Sequence, residues 1–409
     1  MRAFRGLGAA LLVSSGVLAW PGVSAAQEEP SLTSTSDVEI HGFVSQGFIL
    51  STKNEYLARS KHGSFEFSEA ALNFTKGLTD ELRLGFQIFA HDLGPIGNYR
   101  PQFDWYYLDY RPWNWLGIRA GRLKVPFGLY NELNDVDVAR VPILLPQSIY
   151  PVDHREFLFA QAGAELYGDL RLGAVGSVEY RAYGGTLTSD LALPPPAGLT
   201  PREVNVPYLY GGRLLWSTPI DGLSAAASGQ AARFDAYYDF DPALRALFEQ
   251  LTILPVGLTY PIPIKFRVTR WVASLAYTAH DLDLAAEYSR WTGDFYSDAP
   301  LLFPPHTVNE RYYAMGAYRV FDWFTPGAYY SRYFIDVEQR EGHTRYQHDL
   351  AVTLRFDLTP NWLLKLEAHS INGTAGLENR DLNGLNRGVD AEDLTRRWAV
   401  FLLKTTAYF

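Results

Sequence analysis

The feature of this sequence that most constrains its fold is an alternation of apolar and polar side chains with a period of two. Between Leu82 and His91, the even positions carry leucine, phenylalanine, isoleucine or alanine, and the odd positions are mostly polar. The same alternation recurs over 178–183, 282–289 and 346–357. A period of two is typical of β-strands, and no comparably long stretch keeps the 3.6-residue period of a helix. The sequence therefore predicts an all-β protein.

The connections between the predicted strands alternate in length. Seven are short turns, near 78–81, 112–115, 169–174, 219–222, 280–283, 322–325 and 358–361, and eight are long loops, near 51–64, 92–102, 125–159, 185–206, 234–262, 293–309, 336–345 and 372–394. Such alternation is typical of barrels with one rim in a confined compartment. We therefore expect a 16-stranded antiparallel transmembrane β-barrel with short periplasmic turns and long extracellular loops.

Aromatic residues support a membrane setting. The chain has 10 Trp, 26 Tyr and 24 Phe residues, which cluster at predicted strand ends. The clusters contain Trp105, Tyr106, Tyr107, Tyr110, Trp113, Trp115, Tyr208, Tyr210, Trp216, Tyr312, Tyr313, Trp323, Tyr329, Tyr330, Trp362 and Trp398. Amphipathic rings prefer the level of lipid headgroups, so these residues predict two aromatic girdles.

The two ends of the chain predict export and insertion. Arg2 and Arg5, an apolar stretch and a small-residue site at 24–26 are typical of a cleavable signal peptide over residues 1–26. A short segment, 27–37, would precede the barrel, which we place at 38–409. The final alternating run, from Trp398 to Phe409, ends on two aromatic residues and resembles the insertion signal of bacterial outer-membrane barrels. We therefore expect the protein to reach the bacterial outer membrane.

Composition excludes several other classes. The absence of cysteine excludes disulfide scaffolds, thiolate metal sites, iron–sulfur clusters and cysteine nucleophiles. A formal net charge of -9 argues against nucleic acid as a partner. With 47% hydrophobic and 20% charged residues, the chain is not generally disordered.

One run of residues resembles a known family. Gly121 to Gly128, within the run Gly117–Leu129, resembles the GRxKxPFG element of the phosphate-selective porin O and P family. Glu39–Phe43 and Phe65–Leu72 resemble the first two strands of that family. The resemblance implies a sixteen-stranded outer-membrane barrel, a homotrimer, that passes small hydrophilic solutes. Phosphate selectivity in the family depends on a ladder of basic pore residues, whereas the inward charges here are mixed, so we do not expect that selectivity.

Strand parity predicts which charged side chains line the interior. The predicted pore-lining residues are Arg83, Asp109, Arg119, Glu179, Arg181, Arg213, Arg270, Arg311, Arg319, Arg355 and Lys365, and the same parity also predicts Gln87, Glu165, Glu287, Asp349 and Glu367 on the inner face. A barrel of this size is too wide for strand side chains to fill, so such residues would control what passes. They could order solutes in a transverse field, or they could pair with each other and stiffen the wall.

The third long loop, 125–159, is the longest connection and the predicted pore constriction. The residues assigned to the constriction are Glu132, Asp135, Asp137 and Arg140, with Asp135 and Asp137 facing basic wall residues. An apolar piece at 141–145 suggests that the loop packs rather than floats. The alternative is an outward loop that closes the mouth or contacts a neighbour.

No catalytic, cofactor or metal motif is found in the sequence. His369 and Ser370 are adjacent on a strand, so they point to opposite faces and cannot form a dyad. Asp381 to Asp393 has oxygen ligands at calcium-like spacing but lacks the frame of a calcium loop, which favours a solvated loop. We expect no enzyme activity and no cofactor.

The sequence as a whole predicts an outer-membrane porin for passive diffusion of small hydrophilic solutes or ions, with membrane lipid as its surroundings. One alternative is a channel dedicated to phosphate or another anion. A second is a secreted β-rich binding protein, such as a carbohydrate-binding module.

Overall fold

The computed structural model describes most of the chain. The described residues are 38–94, 97–152, 155, 160–187, 199–240, 242, 245–246, 250, 261–297, 306–377, 385–386 and 389–409. The predicted signal peptide and the segment 27–37 lie outside these residues and stay predictions. In the part of the chain that is described, no helix has both the length and the apolar character needed to cross a membrane.

Sixteen antiparallel strands close into one barrel, which confirms the predicted fold. The strands are β1 (Glu39–Ser51), β2 (Phe67–Gly77), β3 (Leu82–Leu93), β4 (Gln102–Trp113), β5 (Leu116–Lys124), β6 (Ala160–Arg171), β7 (Ser177–Thr186), β8 (Leu199–Ser217), β9 (Leu223–Phe240), β10 (Ile262–Ala279), β11 (Leu282–Ser297), β12 (His306–Tyr318), β13 (Phe324–Phe334), β14 (Tyr346–Thr359), β15 (Trp362–Gly373) and β16 (Arg397–Tyr408). Each strand pairs with its neighbours in sequence.

The first and last strands close the sheet. In the register of β1 and β16, Phe43 lies opposite Tyr408 and Ser51 lies opposite Val400. Beyond the strand end, the backbone N–H of Gly42 donates to the carbonyl of Phe409 at 3.1 Å, and Phe409 donates back at 3.0 Å. The closure leaves the sheet without an open edge, as a sheet in lipid requires.

Strand ends differ from the predicted ones at several connections. β6 continues to Arg171, so the turn predicted at 169–174 lies at 172–176. β8 begins at Leu199 and β9 continues to Phe240, so both strands extend well into the predicted long loops. Phe234 in the extension of β9 packs against inward apolar residues of the neighbouring β10, including Ile264. The pairing of β8 with β9 shifts register between Pro201 and Glu203 and between Asn205 and Tyr208. Which rim faces the cell exterior stays a prediction.

Alternation along each strand produces a charged inner face and an apolar outer face. In β10, Arg270 and Ser274 are buried on the inside. The residues that follow each of them, Trp271 and Leu275, lie on the outside and are 46% and 53% exposed. A large apolar surface of this kind needs a lipid or protein environment.

Aromatic residues lie on both faces of the barrel rather than on the outer face alone. Trp113, Trp115 and Trp323 are about half exposed on the outer face near the short turns, as a girdle requires. The girdle assignment is wrong for Trp398, Tyr313 and Tyr329, which are buried inside. Their positions share the parity of the inward face, and clustering at strand ends does not reveal which face a ring occupies.

We predict that Gly176→Ala reduces barrel folding. Gly176 has φ of +90°, and an added Cβ would lie 2.0 Å from the carbonyl oxygen of Ser217. The substitution should cost more than about 1 kcal/mol, measured as a lower refolded fraction by heat-modifiable gel migration. The matched control is Gly184→Ala, where the nearest atom lies at 3.9 Å. Equal refolding of both variants would contradict the described turn.

Candidate functional site: the barrel interior and the third long loop

The described part of the loop predicted as the constriction lies inside the barrel. Gly128 N–H donates to Ser228 of β9 at 3.1 Å. Arg311 of β12 donates to the carbonyl of Ser148 at 3.0 Å, and the N–H of Ile143 donates to a β15 carboxylate at 2.7 Å. A segment that contacts strands on opposite sides of a closed barrel must lie in its interior. We call residues 125–152 with Arg155 the inner loop.

Apolar packing fixes one side of the inner loop. Its buried members Val125, Phe127, Leu129, Leu145, Ile149 and Tyr150 form one cluster with inward residues of β7 to β12. Burial of each large apolar side chain contributes about 1.5–3 kcal/mol. Part of the lumen is therefore occupied by packed side chains.

A buried carboxylate on β11 anchors the same side of the loop. Glu287 accepts hydrogen bonds from the hydroxyls of Ser274 at 2.5 Å and Tyr313 at 2.9 Å, and from that of Tyr150. It also accepts the backbone N–H of Leu129 at 2.9 Å. Four donors satisfy a charge that would otherwise be costly to bury.

A second buried carboxylate, on β15, anchors the far part of the loop. Glu367 accepts the backbone N–H groups of Ile143 at 2.7 Å and Leu144 at 2.9 Å. It also accepts from the hydroxyl of Thr353. His369 Nε2 lies 3.0 Å from Glu367, and His369 Nδ1 lies 3.0 Å from Asp349. The imidazole therefore bridges two wall carboxylates, one of which binds the loop.

Asp137 joins the loop to the two basic residues at the barrel's closing seam. Its Oδ1 lies 2.9 Å from Lys365 Nζ and 3.6 Å from Lys404 Nζ, and its Oδ2 accepts from Thr406 at 2.7 Å. Lys365, Lys404 and Asp137 are almost completely buried. Burial alone would raise the pKa of Asp137, but Lys365, Lys404 and Arg140 together hold that pKa well below its usual range.

Two other residues assigned to the constriction, Asp135 and Arg140, form their contacts mainly with residues of the loop itself and of the adjoining end of β5. Asp135 lies 3.0 Å from Lys124 at the end of β5 and also contacts Arg155. Arg140 lies 3.6 Å from Asp137 and donates to the carbonyl of Pro142 at 2.9 Å. Asp135 therefore contacts the base of the loop, whereas Asp137 contacts the opposite wall.

Glu132 extends a ladder of alternating charges on the wall from β3 to β8. The ladder runs Arg83–Asp109 (3.1 Å), Asp109–Arg119 (3.3 Å), Arg119–Glu165 (3.7 Å), Glu165–Arg181 (2.8 Å), Arg181–Glu132 (2.8 Å), Glu132–Arg213 (3.1 Å) and Arg213–Glu179 (2.7 Å). Burial alone would raise the pKa of Glu132, but Arg181 and Arg213 lower it. Acids and bases alternate along the whole ladder.

The remaining predicted pore-lining arginines contact rings, loop carbonyls and nearby acids. Arg270 lies over the ring of Phe127 at 4.0 Å, and Arg311 lies over Trp291 at 3.8 Å. Arg355 pairs with Asp357 at 2.8 Å and donates to the carbonyl of Val138 at 2.7 Å. Arg319 lies 3.9 Å from Asp281 near a short turn. All the predicted positions face inward, and most of these side chains are buried.

Several interior residues were missing from the predicted site. Lys404 and Glu69, which pair at 2.6 Å, are two of them. Glu287 and Glu367, which anchor the loop, belong to the predicted inward set. Strand parity could have assigned Lys404 to the inner face, because it alternates with outward Leu403 and Thr405. Nothing local in the sequence points to Tyr150 as a partner of Glu287.

A cavity of about 240 Å³ with a mixed polar and apolar lining lies between the inner loop and the wall of β12 to β14. Its polar lining comprises Gln147, Ser148, Arg311, Ser331, Gln347 and Asp349. The rest of the lining comprises Tyr56, Leu57, Pro151, Tyr333, Ile335, Ala375 and Gly376. The cavity is large enough for several water molecules.

Among the described residues, no group of three or more His, Asp or Glu side chains is placed to bind a metal ion. Of the calcium-like segment Asp381 to Asp393, residues 385–386 and 389–393 are described, and the rest lies outside the described residues. His369 is buried inside and Ser370 is exposed outside, as predicted for neighbours on a strand.

Comparison with solved structures finds outer-membrane barrels across most of the chain. OmpT of Vibrio cholerae superposes with a TM-score of 0.56 at 12% identity, covering 91% of this chain and 97% of that chain. A protein described as an anion-selective porin from Comamonas acidovorans gives 0.55 at 12% identity, covering 91% and 99%. OprB of Pseudomonas putida gives 0.54 at 11% identity, covering 91% and 94%. These likenesses show the fold.

Sequence comparison adds no closer relationship. No family model matches the sequence, and no curated protein matches it. The resemblance to the phosphate-selective porin O and P family therefore stays a prediction.

We predict that Asp137→Asn loosens the inner loop and leaves the barrel closed. The change removes the shared anion from two buried ammonium groups, which should cost about 3–5 kcal/mol. Backbone amides of 137–145 should then exchange with deuterium at least on the order of a hundredfold faster. Asp169→Asn is the matched control, because Asp169 is 50% exposed and pairs with Arg111 outside this contact. Unchanged exchange in Asp137→Asn would exclude this anchor.

The lowered pKa of Asp137 also predicts a pH limit for the loop. A carboxylate whose pKa is lower in the folded state stabilises that state fully above its unfolded pKa of about 3.9. This stabilisation is lost as pH falls below that value through the folded pKa. Protection of 137–145, corrected for intrinsic exchange, should not fall between pH 7 and pH 5 and should decline only below about pH 4. Loss of protection between pH 7 and pH 5 would assign the anchor to another group.

Proposed function

We propose that this protein is an outer-membrane porin that forms a water-filled channel for passive diffusion of small hydrophilic solutes or ions. The observation that carries the proposal is a closed sixteen-stranded barrel with an apolar outer face and a charged inner face. Such a surface division suits a wall between lipid and water. A barrel of this width leaves room for both an internal loop and a water path.

The inner loop forms the constriction in this proposal. Its contacts with strands around the barrel would narrow the lumen and set the size of the solutes that pass. The cavity of about 240 Å³ beside Arg311 and Asp349 provides polar space next to the loop. We assign part of the solute path to this cavity.

We propose a general channel rather than one dedicated to phosphate or another anion. The arginines of the wall ladder alternate with Asp109, Glu165, Glu132 and Glu179. Matched charges give a transverse field with little net preference for one sign. An anion-specific channel is the second candidate, because the similar Comamonas acidovorans protein is described as anion-selective.

The proposed surroundings are the bacterial outer membrane, with long connections at the extracellular rim and short turns at the periplasmic rim. The exposed apolar outer face disfavours the secreted binding protein. We also propose a homotrimer, since one OmpT structure with a TM-score of 0.55 is described as a trimer form.

Planar-bilayer recording tests the function. Purified protein should insert and give stepwise conductance, with a cation-to-anion permeability ratio within about threefold of unity in potassium chloride, because the wall charges are balanced. Asp135→Asn combined with Asp137→Asn should change the conductance and ion preference, since both carboxylates hold the inner loop. Asp169→Asn should match the wild type.

The outcomes separate the candidates. Strong anion preference, or block by millimolar phosphate, would favour the anion-specific channel. A protein that stays soluble without detergent and gives no conductance steps would contradict the porin. Wild-type conductance in the double Asn variant would remove the inner loop from the constriction.

A further inference from the structure

A row of polar and basic residues crosses the outer face of six strands. The strand register places Tyr288, Tyr312, Arg332, His348, Asn372 and Arg397 opposite one another in succession from β11 to β16. With adjacent strands about 4.8 Å apart, the row spans on the order of 24 Å. We call it the outer row. All its members have the parity of the outward face.

The outer row lies at the edge of the apolar surface that is farther from the short turns. The next outward positions toward the short turns are Ala286, Ala314, Tyr330, Leu350, Ser370 and Ala399. The positions after those are Leu284, Gly316, Ala328, Val352, Ala368 and Phe401. Leu350 and Val352 are each 50% exposed, which suits contact with lipid chains. The outer row therefore lies where headgroups begin.

Arg332 of this row and Arg396 next to it form hydrogen bonds with neutral side chains. Arg332 donates from Nε to His348 Nε2 at 3.1 Å and from Nη1 to the hydroxyl of Tyr312 at 3.1 Å. Arg396, beside Arg397, donates to Asn372 Oδ1 at 3.0 Å and lies over the ring of Tyr346. Within the described part of the chain, no carboxylate lies in ion-pair distance of these three arginines. Their positive charges are therefore not neutralised locally.

The acidic residue near the outer row, Glu310, already forms ion pairs with other arginines. Glu310 pairs with Arg290 at 3.3 Å and with Arg340 at 3.0 Å. Its second oxygen also accepts from Tyr288 at 2.9 Å. The carboxylate of Glu310 therefore already pairs with two arginines. The outward arginines of β13 to β16 keep a net positive charge.

The outward bases of β9 and β10 differ in this respect. Arg233 pairs with Asp235 at 2.9 Å. Lys265 lies opposite Asp235 and Arg267 lies opposite Asp294 in the register. Each of these cations has a carboxylate beside or across from it. Between β9 and β16, the outward arginines without a carboxylate partner therefore lie on β13 and at the start of β16.

We propose that Arg332, Arg396 and Arg397 form a binding site for the phosphate headgroup of an anionic membrane lipid. Guanidinium groups bind phosphate through paired N–H donors, and the hydroxyl of Tyr312 lies beside Arg332 as a further donor. The apolar rows below would hold the acyl chains, which a soluble phosphate lacks. The inference rests on the proposed membrane location and not on transport.

Lipid titration followed by native mass spectrometry tests this site. Delipidated wild-type protein in detergent is titrated with dioleoylphosphatidic acid, a phosphate-monoester lipid, and with dioleoylphosphatidylcholine. Arg332→Gln, Arg396→Gln and Arg397→Gln combined should weaken phosphatidic acid binding by at least about tenfold. The matched control combines Arg233→Gln, Lys265→Gln and Arg267→Gln and should bind as the wild type does. Heat-modifiable migration checks that both triple variants fold, and the single variant Arg332→Gln serves if the first triple does not.

Each outcome decides the inference. Preference for phosphatidic acid over phosphatidylcholine, lost only in the first triple variant, supports the site. Equal loss of binding in both triple variants would mean that phosphatidic acid responds to the general positive charge of the barrel and not to this site. Inorganic phosphate at 10 mM would saturate a site that binds soluble anions with a Kd of about 1 mM. Full competition at that concentration would therefore identify the ligand as a free anion rather than a lipid. Bilayer conductance of the same preparations tests the proposed porin function separately. If the protein conducts but does not bind phosphatidic acid, the lipid site is overturned and the porin proposal stands.

Discussion

Closure of the sheet by β1 and β16 is the constraint on which the other features depend. A strand in lipid must satisfy every backbone N–H and C=O within the protein, and the pairing from Phe43–Tyr408 to Ser51–Val400 does so at the last open edge. Once the sheet is closed, each strand residue faces either the outside or the interior of the barrel. The apolar outer face and the charged inner face are consequences of that division.

The interior charges are stable because the inner loop completes their pairing. Burying an ion is costly unless its partner and hydrogen bonds are present. Glu132 bridges Arg181 and Arg213, and Asp137 neutralises Lys365 and Lys404 at the closing seam. The wall and the loop are therefore one electrostatic unit, and the loop is a structural part of the lumen as well as the proposed constriction.

Charge distribution differs between the two faces in a way that fits two kinds of contact. Inside, acids and bases alternate, which suits a water path with weak preference for either sign. Outside, Arg332 and its neighbours lie at the edge of the apolar band with positive charge in excess, which suits anionic headgroups. With identities near 12% to the similar solved barrels, these roles rest on this chain's own residues.

The strand number, the antiparallel barrel and the inward set from Arg83 to Lys365 could be predicted from the sequence by itself, because a period of two is local and assigns each side chain to a face. Only the tertiary structure decided which residues meet. Asp137 and Lys365 are 228 positions apart, and their contact exists because the barrel closes and the loop folds inward. The same holds for Trp398, which closure turns toward Tyr56, with ring centroids 5.2 Å apart. Local periodicity carries no information about such distances, since they depend on the curvature of the whole sheet.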